Sequence, residues 1–139
     1  MNDGCARAED AGSKAFPTHL VGVGPDEEFA TAKQLTSGPV TWLGNVENLE
    51  AFLDRPPLAH PCVILLDGDL PSERLIASLD QNAALLKATP MLLQITKPPV
   101  RLAVVIMQRG VRDVLQKPYT LARLRAALEE LRSLYGRHP

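Results

Sequence analysis

The stretch Val63-Ile64-Leu65-Leu66-Asp67-Gly68-Asp69-Leu70-Pro71 constrains this chain more than any other. Four consecutive apolar residues ended by Asp-Gly-Asp and Pro fit a strand buried on both faces, which is how a central strand of a parallel sheet reads. Asp67 then stands at the strand's carboxyl end. In open α/β sheets, loops and helix N-termini converge at that edge over a rigid base, and ligands and chemistry collect there.

The flanking sequence repeats a strand-then-helix rhythm. His19 to Gly24 is short and apolar with Gly24-Pro25 behind it, which suits a first strand. Asp26 fits a helix N-cap, Glu27 and Glu28 suit the first turn of that helix, and Phe29, Ala32 and Leu35 recur on one face until Ser37-Gly38-Pro39. Val40 to Leu43 reads as a second strand, Val46 to Leu53 as a short helix, and Arg55-Pro56-Pro57 as its terminator. After the central strand, helical spacing returns at Leu75, Ile76, Leu79 and Leu85-Leu86 and ends near Pro90. Met91 to Ile95 is a fourth strand. Lys97-Pro98-Pro99 opens a helix that Gly110 closes, Val111 to Leu115 is the last strand, and Leu121, Leu124, Leu128 and Leu131 mark one face of a final helix running to about Tyr135. Five alternations imply a parallel sheet with helices on both faces and right-handed crossovers, a doubly wound, flavodoxin-like α/β fold of strand order 2-1-3-4-5.

A chain of 139 residues is one domain by length. Residues 1–17 read as a flexible leader, 18–136 as the domain, and 137–139 as an end that could lead towards an output domain. The 15 Lys and Arg residues against 16 Asp and Glu give a net charge of −1, which offers no field for direct binding of nucleic acid or an anionic membrane. No apolar run nears the roughly 18 residues that cross a bilayer. Cys5 and Cys62 fit thiols of a reducing cytosol better than a disulfide framework. His19, His60 and His138 lack ligand spacing, and Gly22-Val23-Gly24 fits close backbone packing rather than a phosphate-binding turn.

With that order of elements in hand, Leu65 to Pro71 resembles the phosphoacceptor segment of bacterial two-component response regulator receiver domains, with Asp67 at the acceptor position and Pro71 at the family's proline. Gly110 to Tyr119 resembles the family's last strand, with Lys117 at its lysine and Lys117-Pro118 at its usually cis bond. The likeness spans about Thr18 to Tyr135. It implies a cytoplasmic signalling domain rather than an enzyme of turnover, in which Mg²⁺ and Lys117 neutralise charge on a group transferred to Asp67 from a histidine kinase. The chain departs from the pattern at four positions. The family's metal-holding acidic pair falls on Gly24 and Pro25, its strand-end hydroxyl on Ile95 with Thr96 adjacent, and its aromatic switch on Val114. Asp67 supplies one carboxylate for Mg²⁺ and Asp26 or Asp69 could supply another, so the expected metal site is weak.

The helix from Val100 to Arg109 carries a further signal. If Ala103, Val104 and Met107 face the sheet, Leu102, Val105 and part of Ile106 point outward as an apolar patch of the kind that marks partner surfaces. In the receiver family this helix, the last strand and the last helix form the common dimer face. The expectation is therefore a homodimer, or docking of another signalling protein, through Leu102, Val105, Arg109 and Arg112. The sequence supports a degenerate receiver acting mainly as an interaction module. Its rivals are a working phosphoacceptor with a rearranged metal site and a small-ligand sensor at the strand-end crevice.

Overall fold

A computed structural model describes residues 19–54 and 62–136. The leader with Cys5, the Arg55-Pro56-Pro57 terminator, His60 and His138 lie outside the described residues. The strands are β1 (His19–Val23), β2 (Thr41–Val46), β3 (Cys62–Asp67), β4 (Met91–Ile95) and β5 (Asp113–Gln116). The helices are α1 (Leu49–Asp54), α2 (Ser72–Gln81), α3 (Ala83–Ala88), α4 (Val100–Gln108) and α5 (Leu121–Gly136). All pairings are parallel and the order is β2-β1-β3-β4-β5, the flavodoxin-like order expected from the sequence. Among the described residues no helix is long and apolar enough to cross a membrane.

Alternation along the strands divides the core in two. Leu20, Val63, Leu65, Leu92 and Leu115 face α5, where Leu124, Leu128 and Leu131 cover them. Val23, Ile64, Leu66, Leu93 and Ile95 face the opposite layer, covered by Leu49 of α1, Leu75 and Leu79 of α2, Leu86 of α3, and Leu102 and Ile106 of α4. Every residue of β3 is buried, as its unbroken apolar run requires of a strand covered on both faces.

Three elements differ from the sequence reading, each for a local reason. The first crossover is not an α-helix but two 3₁₀ turns, Asp26–Phe29 and Ala32–Gln34. Its buried residues Phe29, Ala32 and Leu35 are spaced by three, which is the 3₁₀ period rather than 3.6. Asp26 is consequently not an N-cap; it begins the first turn and accepts a hydrogen bond from Lys33 Nζ at 2.8 Å. The helical stretch after β3 breaks at Asn82, whose side-chain amide donates to the Ser78 carbonyl at 2.8 Å, local bonding that competes with helix continuation.

The third difference is the rotation of α4. Leu102 and Ile106, one turn apart, are the buried pair, whereas Val100, Val104 and Met107 are 80%, 51% and 45% exposed. The expected phase, with Val104 and Met107 inward and Leu102 outward, is corrected. The inward pair joins Val111 and Leu86 in the core, where the larger branched side chains remove more apolar area from water than Ala103 and Val104 would. Gly110, at φ +109°, ends the segment in a conformation that favours glycine.

Candidate functional site

The carboxyl ends of β3, β4 and β5 bring the site together through their register. Asp67 pairs with Gln94 across β3 and β4, Ile95 pairs with Gln116 across β4 and β5, and Lys117 follows directly, its amide bonded to the Ile95 carbonyl at 2.8 Å. Lys117 Nζ lies 2.7 Å from Asp67 Oδ1, 2.7 Å from Asp69 Oδ2 and 2.6 Å from Glu28 Oε1. The three donors of one ammonium thus meet three carboxylates. Burial works against the charge on Lys117, but the hydrogen bonds to Asp67, Asp69 and Glu28 overcome it and hold the ammonium protonated well above its ordinary 10.5.

The carboxylates are held differently. Asp67 is buried and also accepts from Gln94 Nε2 at 3.0 Å. Asp69 accepts from the Thr96 amide at 2.9 Å and from Thr96 Oγ1 at 2.7 Å. Burial pushes the Asp69 carboxyl upward, yet the Lys117 bond and the two Thr96 bonds outweigh it and keep it below its ordinary 3.8. Glu28 comes from the first 3₁₀ turn and is the most exposed of the three. The opposite side of the edge is lined by Gly24, whose φ is +144° and whose Cα faces Asp67 so closely that an added Cβ would sit 2.7 Å from Asp67 Cβ. Only glycine suits that position.

Gln94, which the sequence reading passed over, ties the site to the rest of the edge. Its amide is fully buried, donating to Asp67 Oδ1 and, at 2.8 Å, to the Glu28 carbonyl, while its own oxygen accepts from the Tyr119 hydroxyl. A lone amide in the apolar strand Met-Leu-Leu-Gln-Ile was the available signal, because a buried polar group needs partners. Burial pushes the Tyr119 phenol up to about 12, with the Lys117 charge opposing and the Asp67 charge adding to the effect.

The expected site residues are placed as follows. Asp67, Asp69 and Lys117 meet; Asp26 does not join them and is engaged with Lys33, its place being taken by Glu28. Thr96 supplies the strand-end hydroxyl, directed at Asp69, while Ile95 is buried in the opposite core layer. Val114 is half-buried and packs beside Ala103, Val104 and Met107 of α4. Of the four expected surface residues, Leu102 is buried, Val105 is half-buried, Arg109 bonds Asp80 of α2 at 3.0 Å, and Arg112 is exposed beside Met107. The Lys117-Pro118 bond is cis.

Glu28, Asp67 and Asp69 each offer a carboxylate oxygen within 4.8 Å of the others, the geometry of a cation site. The cation at their centre is the Lys117 ammonium. Mg²⁺ requires near-octahedral oxygen ligands at about 2.0–2.1 Å and retains several waters; Glu28, Asp67 and Asp69 are the residues that would hold it, weakly, once the Lys117 ammonium shifts from their centre. Beside them an open crevice of 580 Å³ extends between Gly24, Pro25, Asn48, Asp67, Asp69 and Arg74.

No protein-family model and no curated protein matches the chain. Solved structures do. A pilus assembly protein CpaE from Caulobacter crescentus superposes with a TM-score of 0.67 at 18% identity, over 84% of this chain and 93% of that one. A response regulator receiver domain protein (CheY-like) from Methanospirillum hungatei gives 0.67 at 15% identity, over 87% and 98%. A receiver domain from Vibrio parahaemolyticus, of a protein bearing the name Luxo repressor, gives 0.59 at 26% identity, over 88% and 98%. The chain has the fold of response regulator receiver domains.

Proposed function

We propose that the chain is a receiver-like signalling domain that works by protein contact, the cation of its strand-end pocket tied up by internal ion pairs rather than serving phosphorylation. The observation that carries this reading is the saturation of Lys117 by Glu28, Asp67 and Asp69 beside a first loop where Gly24 and Pro25 present no metal ligand. Transfer to Asp67 would turn a monoanion into a dianion beside Asp69 and Glu28 while Lys117 is already engaged by all three carboxylates, which weakens the electrostatic stabilisation that such transfer depends on. Cytoplasmic residence and the absence of catalytic turnover belong to this reading.

The working surface is the outer side of α4 with β5 and α5. Val100, Val104 and Met107 are exposed there, the last two beside half-buried Val114, and Met107 also borders a 410 Å³ groove lined by Arg112, Asp113, Glu130, Leu131 and Leu134. Contiguous exposed apolar side chains rimmed by charge mark a partner surface. The partner is a second copy of the chain. The expected interface residues are revised accordingly, from Leu102 and Val105 to Val100, Val104 and Met107, with Arg112 retained at the rim.

Incubation with acetyl phosphate and Mg²⁺ followed by intact-mass measurement tests the pocket half of the reading. The expected result is an unmodified chain. Stoichiometric phosphorylation, lost in Asp67→Asn, would establish the phosphoacceptor alternative. The size of the crevice favours a second reading, a small-ligand sensor, for which a metabolite that raises the melting temperature in a concentration-dependent way is the expected sign.

A further inference from the structure

We infer that Glu28 is a side-chain latch on Lys117, occupying the position on the ammonium that a tetrahedral oxyanion of the phosphoryl class needs. This rests on the proposed engagement of Lys117 by internal carboxylates, and adds which group can give way. Among the three carboxylates, Asp67 is 6% exposed and also carries the Gln94 bond, and Asp69 also accepts two bonds from Thr96. Neither can leave without orphaning a second partner. The Glu28 side chain is 39% exposed, and among the described residues its carboxylate bonds Lys117 alone. It can swing into water at little cost, since an exposed ion pair contributes weakly and exposed rotamers exchange within nanoseconds.

The backbone beneath the latch is fixed. Phe29, the next residue, is fully buried, its ring 5.3 Å from that of Trp42 and close against Gly22. The Glu28 carbonyl accepts from Gln94 and its amide donates to the Pro25 carbonyl at 3.0 Å. Release is therefore a rotation of one side chain and not a movement of the turn. It frees one donor of Lys117 and removes one of three negative charges from the pocket, both of which an incoming oxyanion requires.

The test is fluorine NMR of fluoroberyllate in the presence of Mg²⁺, with the wild-type chain, Glu28→Ala and Glu28→Gln. Trp42 fluorescence, which reports packing against Phe29, confirms that each variant retains the turn. The expected result is no bound signal in the wild type and a saturable one in Glu28→Ala, at least on the order of tenfold tighter, with Glu28→Gln between them because its amide oxygen still accepts from Lys117. If wild type and both variants stay silent, the latch is overturned and the silent pocket stands. A wild type that binds, with Glu28→Ala binding tenfold tighter, upholds the latch and removes the silent-pocket reading. Binding by the wild type that Glu28→Ala abolishes makes Glu28 a metal ligand and overturns both.

Discussion

The strand-end pocket and the outer face of α4 are finished in opposite ways. Around Lys117 the polar groups bond one another: Lys117 has three carboxylates, Asp69 has Thr96, and Gln94 is engaged by Asp67, Glu28 and Tyr119. On α4, Val100, Val104 and Met107 lie in water. Polar groups that already bond one another ask little of a ligand, whereas apolar side chains held in water favour a partner. On the proposed reading, the edge which performs chemistry in many α/β folds serves here as a structural rivet, and a covering helix carries the contact function.

Replacing the rivet should have the largest effect. Lys117→Met leaves Asp67 buried beside two further carboxylates with no cation, and breaking a buried pair in this way costs about 3 kcal/mol or more. Urea denaturation measures it, and Lys117→Met combined with Asp67→Asn should recover part of the loss. A variant as stable as wild type would mean that Lys117 does not hold these carboxylates together. Gln94→Leu comes next, at about 2 kcal/mol, because the Tyr119 hydroxyl, the Glu28 carbonyl and Asp67 each lose a partner; the same denaturation series checks it.

A smaller effect depends on pH. The folded state holds the Tyr119 proton up to about 12, whereas an unfolded tyrosine releases it near 10. The contribution is fully present below the unfolded value and is lost as pH rises through the folded one, so stability should fall between about pH 10 and 12. The raised Lys117 acts in the same direction. Comparison with Tyr119→Phe isolates the phenol: its urea midpoint should decline less steeply over that window. The smallest stability change belongs to the outer face. Val104→Asp with Met107→Asp should stay within about 0.5 kcal/mol of wild type, as surface substitutions do, yet abolish self-association in sedimentation.

Much of this was legible in the chain. The apolar runs of β3 and β4 and the punctuation by Gly110 and Pro71 implied a parallel sheet of doubly wound order; the residue ending β3 pointed to Asp67, and the likeness of Gly110 to Tyr119 to the receiver family pointed to Lys117. What escaped notice was a matter of phase. A spacing of three in Phe29, Ala32 and Leu35 fits a 3₁₀ turn, and that turn, rather than a helix, delivers Glu28 to Lys117. In Val-Arg-Leu-Ala-Val-Val-Ile-Met nearly every position is apolar, so periodicity alone admits more than one inward face, and tertiary packing chose Leu102 and Ile106. Gln94 stood out only as a polar residue in a buried strand; its partners come from three separate segments that no local pattern connects.

The most direct test is sedimentation velocity of the wild-type chain over a concentration series, with and without Mg²⁺ and fluoroberyllate. A silent pocket beside a working outer face predicts self-association that strengthens with concentration and is the same in both conditions. A chain that remains monomeric throughout, or that associates only when fluoroberyllate is present, would contradict it.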